Sequence, residues 1–275
     1  MSTVPALVKT EPVASADDAA NDPAIWCNRR TPAESGAAPR PVQTFFEHAE
    51  RRGLSTGIVT NMPIWDATPA ACYAHAASRK DKATSFAQLL SPRLDNGVDI
   101  VVGRGRTDAG AAFASRGTTA KQVFAAAGYR YGSAPALLRT APRAGILRDE
   151  PFAPLPVVEA AIRQLSRNAK GYVLMVERGM HTDDPAAGLR HVVEMDGMIR
   201  RVQTLAGPDT LVLFTADHSF GLRMSGGTRD TPLADQYATA AAKPGTTLVN
   251  NPIISVEDGH TGEEVIAAAA GPGAA

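Results

Sequence analysis

The chain has 275 residues, 44% hydrophobic and 20% charged, the composition of a globular protein with a sizeable core. Lys plus Arg number 28, as do Asp plus Glu, so there is no basic field for nucleic acid, and no basic amphipathic stretch argues for a membrane surface. A net charge near zero also gives little electrostatic protection against association, which leaves room for a homodimer. The opening "MSTVPALVKTEP" has no apolar run of signal-peptide length, and no segment is apolar for long enough to span a bilayer. Cys27 and Cys72 lack the spacing of a zinc knuckle or a redox pair and are expected as free thiols.

Residues 11–40 are rich in Ala, Pro, Asp and Ser without helical period. The expectation is an extended arm over 1–40, followed by one domain over 41–275. "PVQTFFEHAERRG" predicts an amphipathic helix closed by Gly53. "STGIVT" is a β-branched run and predicts a strand. "TPAACYAHAAS" predicts a helix with Pro69 in its first turn. "GVDIVVGRGR" predicts a strand ending in a glycine-rich turn. The Ala- and Arg-rich stretch from Gly110 to Arg148 has no clear period. "LPVVEAAIRQLSRNAKG" predicts a helix, "YVLMVE" a buried strand, "DDPAAGLRHVVEMDGMIRRVQTLAG" a long amphipathic helix, and "DTLVLFTAD" another buried strand. Apolar strands alternating with helices predict an α/β fold: a mostly parallel sheet with helices on both faces.

Working residues of such sheets gather beyond the carboxyl ends of the strands. Here those ends carry Asp66 and Thr68, then Glu177, then Asp217 with His218. Carboxylate and hydroxyl oxygens suit Mg²⁺, and mixed carboxylate and imidazole suits Zn²⁺. Two close metals can clamp the attacking and leaving oxygens of a phosphoryl transfer. Arg79 is then the candidate for a bidentate grip on the non-bridging oxygens. Each residue also has a plainer reading, since an acid at a strand end often caps a helix or forms a turn. His48 and His191 read as surface or boundary residues, and His75 as helix packing near the site. Asp95, Asp99, Arg104 and Arg106 read as turn and solvated residues.

Five segments, taken in order, resemble successive motifs of alkaline phosphatase: "STGIVTNMPIWDATPAACYAHAASRKD", "GVDIVVGRGR", "GYVLMVE", "DTLVLFTADHS" and "DGHTGEEVIAAAAGPGA". The pairing of TADHS with GHTGE is the most specific part. The resemblance implies an alkaline-phosphatase-like α/β core that hydrolyses phosphate monoesters through a phosphoserine, with two Zn²⁺ and one Mg²⁺. It implies Asp66, Thr68 and Glu177 as Mg²⁺ ligands and Arg79 as the phosphate-binding arginine. It implies Asp217 and His218 as ligands of one zinc and His260 as a ligand of the other. His181, in "HTDDP", matches a further zinc ligand. The zinc aspartate that precedes that histidine in the family has no counterpart, and Asp183 is the open substitute. The implied partners are a phosphate monoester or inorganic phosphate, and the family is commonly periplasmic or extracellular.

The amino end departs from the family. The bridging aspartate and the nucleophilic serine segment are not recognised here, since "ESG" at 34–36 and "SADD" at 15–18 lack the strand-to-helix setting that activates a serine. The arm at 11–26, with "ASADDAANDPAIW", instead resembles the opening of a β-propeller phytase. An amino-terminally truncated, impaired phosphatase is therefore the first reading. A non-catalytic metal- or phosphate-binding remnant, or a truncated or fused gene product, is the alternative. A phosphodiesterase or sulfatase relative shares the metal-site plan, but the DATPAA and LMVE motifs point away from it. The zinc set is expected at the carboxyl edge of the sheet, with Asp66, Thr68 and Glu177 as a neighbouring oxygen-rich cluster.

Overall fold

A computed structural model describes residues 8–9, 43–76, 78–92, 96–180, 184–261 and 264–274; at 8–9 and 258–260 the backbone alone is described. The chain divides into two compact units, one formed by Asp22–Glu177 and the other holding Arg178–Ala275. Most of the expected arm, with the phytase-like stretch and Cys27, lies outside the described residues. Its described part is β1 (Val8–Lys9), which belongs to the second unit and pairs antiparallel with Ile266 and Ala267.

In the first unit α1 (Phe45–Arg51) starts at a capping box, in which Thr44 and Glu47 satisfy each other's backbone N–H groups. Gly53 follows with φ 74°, the left-handed stop expected from the sequence. β2 (Ser55–Pro63) runs on beyond the β-branched stretch. Next, α2 (Ala67–Ala70) is one turn long, not the helix through Ser78 that the alanines suggested. The side chain of Tyr73 explains the early stop: its hydroxyl donates back to the Ile64 carbonyl at 2.7 Å, folding the following turn onto the end of β2. α3 (Lys82–Leu90) and β3 (Ile100–Arg104) complete this part.

The stretch without a clear period contains α4 (Arg106–Ala114), α5 (Ala120–Ala126), β4 (Arg130–Gly132), a 3₁₀ turn (Pro135–Arg139) and β5 (Ala144–Arg148). α6 (Pro154–Leu165) and β6 (Tyr172–Glu177) follow. The five strands form one sheet in the order β4-β5-β3-β2-β6, every pair parallel. Alternate residues face opposite sides. Ile58, Val101 and Leu147 enter a core with Phe86, Phe113 and Phe124 from α3, α4 and α5. Gly57 points the other way, leaving room for Leu165 of α6. Helices thus cover both faces, as expected.

Gly105 is the one residue type its position accepts. It has φ 104°, and a Cβ there would stand 2.1 Å from Cη2 of the buried Trp65. Asp99, expected in solvent, is half-buried; its carboxylate accepts from the Thr56 N–H at 3.0 Å and ties β2 to the start of β3.

The second unit holds α7 (Pro185–Ala206), β7 (Val212–Thr215), β8 (Ser219–Met224), α8 (Leu233–Ala241), β9 (Ile254–Thr261) and β10 (Ile266–Ala270). β7 corrects the sequence reading. It lies not in the parallel sheet but in an antiparallel one of order β1-β10-β7, and Leu213 is 71% exposed. β8 and β9 form a separate antiparallel pair over a small core of Tyr237, Ile254 and Val256. Among the described residues no helix is long and apolar enough to cross a membrane.

Candidate functional site

Asp66 has two jobs. It caps α2, its Oδ1 accepting from the Ala67 N–H at 3.0 Å, and the same oxygen accepts from Arg79 Nη2 at 3.1 Å. Both side chains are about three-quarters buried, 27% and 28% exposed, so the pair is partly shielded from water and salt. Oδ2 takes no hydrogen bond from the described residues, which leaves a carboxylate oxygen available to a cation. Thr68 sits half-buried in the same turn of helix, and its carbonyl accepts from Cys72 Sγ at 3.7 Å.

Glu177 ends β6 directly across the ladder from Thr60 of β2. Thr60 is fully buried; its hydroxyl donates to Glu177 Oε2 and accepts from the Met62 N–H at 2.9 Å. This is the residue that sequence reasoning missed. Its signal was its place as the last β-branched residue of "STGIVT", where two parallel strands end together. α2 also packs against β6, which keeps Asp66, Thr68 and Glu177 on one edge. These three offer hard oxygen donors, the set that suits Mg²⁺.

Cys72 lies among them, and burial, helped by the Glu177 charge, pushes its thiol up to about 12. It is an inert neutral thiol, not a nucleophile. His75 is committed elsewhere: its Nε2 lies 2.8 Å from Glu47 Oε1, with both side chains under one-tenth exposed. Its backbone N–H and carbonyl are both bonded to the Gln88 amide. His48 is exposed, and His191 places Nδ1 2.8 Å from the Gly179 carbonyl.

In the second unit Asp217 and His218 occupy the link between β7 and β8. They stand past the end of an antiparallel strand, not of a parallel one as expected. His218 Nδ1 lies 3.1 Å from the Ser219 carbonyl, which can only accept, so Nδ1 is placed to donate. Nε2 in turn lies 3.5 Å from Asp217 Oδ2. An imidazole nitrogen and a carboxylate oxygen at this separation could share one cation, since two ligands of a tetrahedral zinc lie about 3.3 Å apart. The His218 ring rests edge-on against Phe220, centroids 4.8 Å apart, and its side chain is 8% exposed.

His260 is placed by its backbone, which pairs with Phe220 across the β8–β9 ladder, two residues from His218. His181 and Asp183 lie outside the described residues. Among the described residues no group of three or more His, Cys, Asp or Glu is gathered closely enough to hold a metal ion by itself.

Comparison with known proteins gives the family. The alkaline phosphatase family model matches residues 8–132 and 145–251. The chain is 28% identical to the alkaline phosphatase of Escherichia coli strain K12, over 84% of this chain and 63% of that protein. It is 27% identical to alkaline phosphatase 4 of Bacillus subtilis, over 66% of this chain and 44% of the relative. The chain thus spans less than two thirds of the length of these curated relatives. Among solved structures, Thermus thermophilus alkaline phosphatase matches with TM-score 0.69 and 20% identity, over 86% of this chain and 70% of that one. A mutant alkaline phosphatase of the Antarctic bacterium TAB5, with Mg bound in its M3 site, matches with TM-score 0.65 and 19% identity, over 85% and 70%. At these identities the structures speak for the fold, while the matched family model covers most of the sequence. The chain belongs to the alkaline phosphatase family.

Proposed function

We propose that this chain binds phosphate monoesters and hydrolyses them in a metal-dependent way, slowly as far as these 275 residues are concerned. The observation that carries the reading is the Arg79–Asp66 pair, which presents a guanidinium beside the oxygen donors Thr68 and Glu177 at one end of a parallel sheet. Arg79 would grip two non-bridging oxygens of the phosphoryl group and set its orientation. Asp66 steadies the guanidinium through Oδ1 and keeps Oδ2 for Mg²⁺. Thr60 holds the Glu177 carboxylate toward the same edge. In the other unit, Asp217, His218, His181 and His260 would serve zinc, with Asp183 as the open substitute for the missing aspartate. Bound metal would neutralise phosphate charge and make water or an alkoxide a better nucleophile.

Among the described residues no serine stands in the strand-to-helix setting of an activated nucleophile, so the proposed turnover is attack by a held water. That same observation favours a second reading, a chain that holds phosphate or metal without turnover. Hydrolysis of p-nitrophenyl phosphate with Zn²⁺ and Mg²⁺ supplied separates them. We expect slow release that chelation and Asp217→Ala each abolish. Release that survives chelation contradicts metal dependence. No release together with intact phosphate binding selects the second reading, and fast release lost in Asp217→Ala reveals a nucleophile among these residues.

A further inference from the structure

Arg79, the proposed phosphate grip, lies on neither a helix nor a strand. It stands in the connection from the turn after α2 to the start of α3. Ordering so long a side chain costs rotamer entropy, and on irregular backbone its aim holds only if that backbone is fixed. Asp66 fixes the guanidinium end. The main-chain end is fixed from both sides. After Arg79, the Asp81 N–H donates to the Ser78 carbonyl at 3.0 Å, and the Asp81 carboxylate caps α3, accepting from the Thr84 N–H at 3.1 Å. Before Arg79, the anchor is His75.

The His75 N–H donates to Gln88 Oε1 at 3.0 Å and its carbonyl accepts from Gln88 Nε2 at 2.9 Å, so α3 holds both of its backbone groups. The ring runs the other way, into α1, where Nε2 meets Glu47 Oε1 at 2.8 Å. The two side chains are 8% and 7% exposed. Glu47 is itself fixed: its Oε2 accepts from the Thr44 N–H at 2.8 Å, and the Thr44 hydroxyl donates to the Cys72 carbonyl at 3.0 Å. α1 therefore grips the segment at Cys72 and again at His75. α1 also packs against β2 and β6, the strands that carry Thr60 and Glu177, so the Glu47–His75 pair ties the Arg79 segment to the frame that holds the oxygen donors. Stability alone is a poor reason for such a pair. Taking a carboxylate and an imidazole out of water costs free energy, and well-packed apolar side chains in the same place often serve a fold as well or better. What the pair adds is direction, since a hydrogen bond between fixed elements sets where the chain leaves α1 toward Arg79.

We infer that Glu47 and His75 are positioning residues for phosphate, acting through Arg79. The inference rests on Arg79 as the phosphate grip. The test is calorimetric titration of inorganic phosphate into the full chain, Mg²⁺ and Zn²⁺ supplied, with urea unfolding of every variant alongside. His75→Leu should bind phosphate at least about tenfold more weakly, the loss of one well-aimed charge-assisted contact. His75→Gln, whose amide can still meet Glu47, should stay within about threefold of the wild type. Val158→Ala, in the buried face of α6 across the sheet, should lose stability and keep wild-type affinity. If His75→Leu does not fold, Gln88→Leu takes its place with the same expectation, because it releases the His75 backbone and leaves the pair with Glu47 intact. A double-mutant cycle with Arg79→Gln separates positioning from a general structural role. Without Arg79 the pair has nothing to aim, so Arg79→Gln should bind phosphate as weakly with the His75 change as without it. Losses that add, wild-type affinity in His75→Leu or its substitute, a His75→Gln as weak as His75→Leu, or equal weakening in Val158→Ala overturns the positioning role. No phosphate binding by the wild type, or unchanged affinity in Arg79→Gln, overturns the phosphate reading itself and the positioning role with it.

Discussion

The two units of this chain build their sheets in opposite ways, and their candidate ligands differ accordingly. From Asp22 to Glu177, parallel strands bury Ile58, Val101, Val102 and Ile146 completely. After Arg178 the strands pair antiparallel, and Leu213 and Ile266 remain 71% and 66% exposed. A side chain at the end of a buried parallel strand is held by neighbours on adjoining elements, as Glu177 is by Thr60 and Asp66 by Arg79. Asp217 has a looser hold: it is 38% exposed, on a link between two strands. The lesson is that the oxygen donors and the arginine are positioned by the core, whereas the Asp217–His218 pair is positioned by its local loop and Phe220.

Six substitutions would break or sharpen that contrast, and the largest effect belongs to glycine. Gly105→Val puts a Cβ into the Trp65 ring at a backbone φ of 104°, so we expect about 3 kcal/mol or more of lost stability, or no folded protein. Gly207→Ala in the second unit has open space but φ 79° with ψ 177°, a region essentially reserved for glycine, so the expected loss is about 1–3 kcal/mol of backbone strain. Urea unfolding measures both, and equal losses would erase the difference.

Next comes the packing itself. Phe124 has no exposed surface, and Phe124→Ala should cost about 3–5 kcal/mol. Leu213→Ala removes an apolar side chain from a strand as well, yet should stay within about 0.5 kcal/mol because that residue faces outward. A large loss at Leu213 would mean that its face is covered in solution.

Thr60→Val tests whether the core positions the ligand. The change keeps the shape, removes the donor to Glu177 and the acceptor for Met62, and should cost about 1–3 kcal/mol. Phosphate affinity measured with Mg²⁺ present should fall as well. A stable variant with unaltered affinity would show that Glu177 is held by other contacts.

The smallest effect is one of pH. Burial pushes the Asp99 carboxyl above its ordinary value, against the pull of the Thr56 N–H and Arg143. The folded chain therefore holds this proton more tightly than the unfolded one. The contribution of Asp99 to stability is full below the ordinary carboxylate value and falls as pH rises through the folded one. Asp99→Asn keeps an acceptor for Thr56 and lacks that titration, so it should gain on the wild type between pH 3 and pH 7. A difference that does not vary with pH contradicts this.

Much of the first unit was legible in the sequence. "GVDIVVGR" and "YVLMVE" are strands, and Gly53 stops a helix, because short apolar runs bounded by glycine leave little choice. β7 was not legible, since four apolar residues look the same whether a strand is covered on two faces or one; its antiparallel partner β10 decides that. α2 looked longer than it is, because alanine propensity is a weak prior and the Tyr73–Ile64 bond overrides it. Asp66 and Glu177 could be named from the strand ends. The role of Thr60 could not, because it depends on the register of β2 against β6, which joins residues 117 apart in sequence.

The central claim is that the carboxyl edge of the parallel sheet grips phosphate through Arg79. Calorimetric titration of inorganic phosphate into the wild type and Arg79→Gln, with Mg²⁺ and Zn²⁺ present, tests it most directly. The account predicts at least about tenfold weaker binding in the variant, the loss of one charge-assisted bidentate contact. Equal affinity in the two proteins would contradict it.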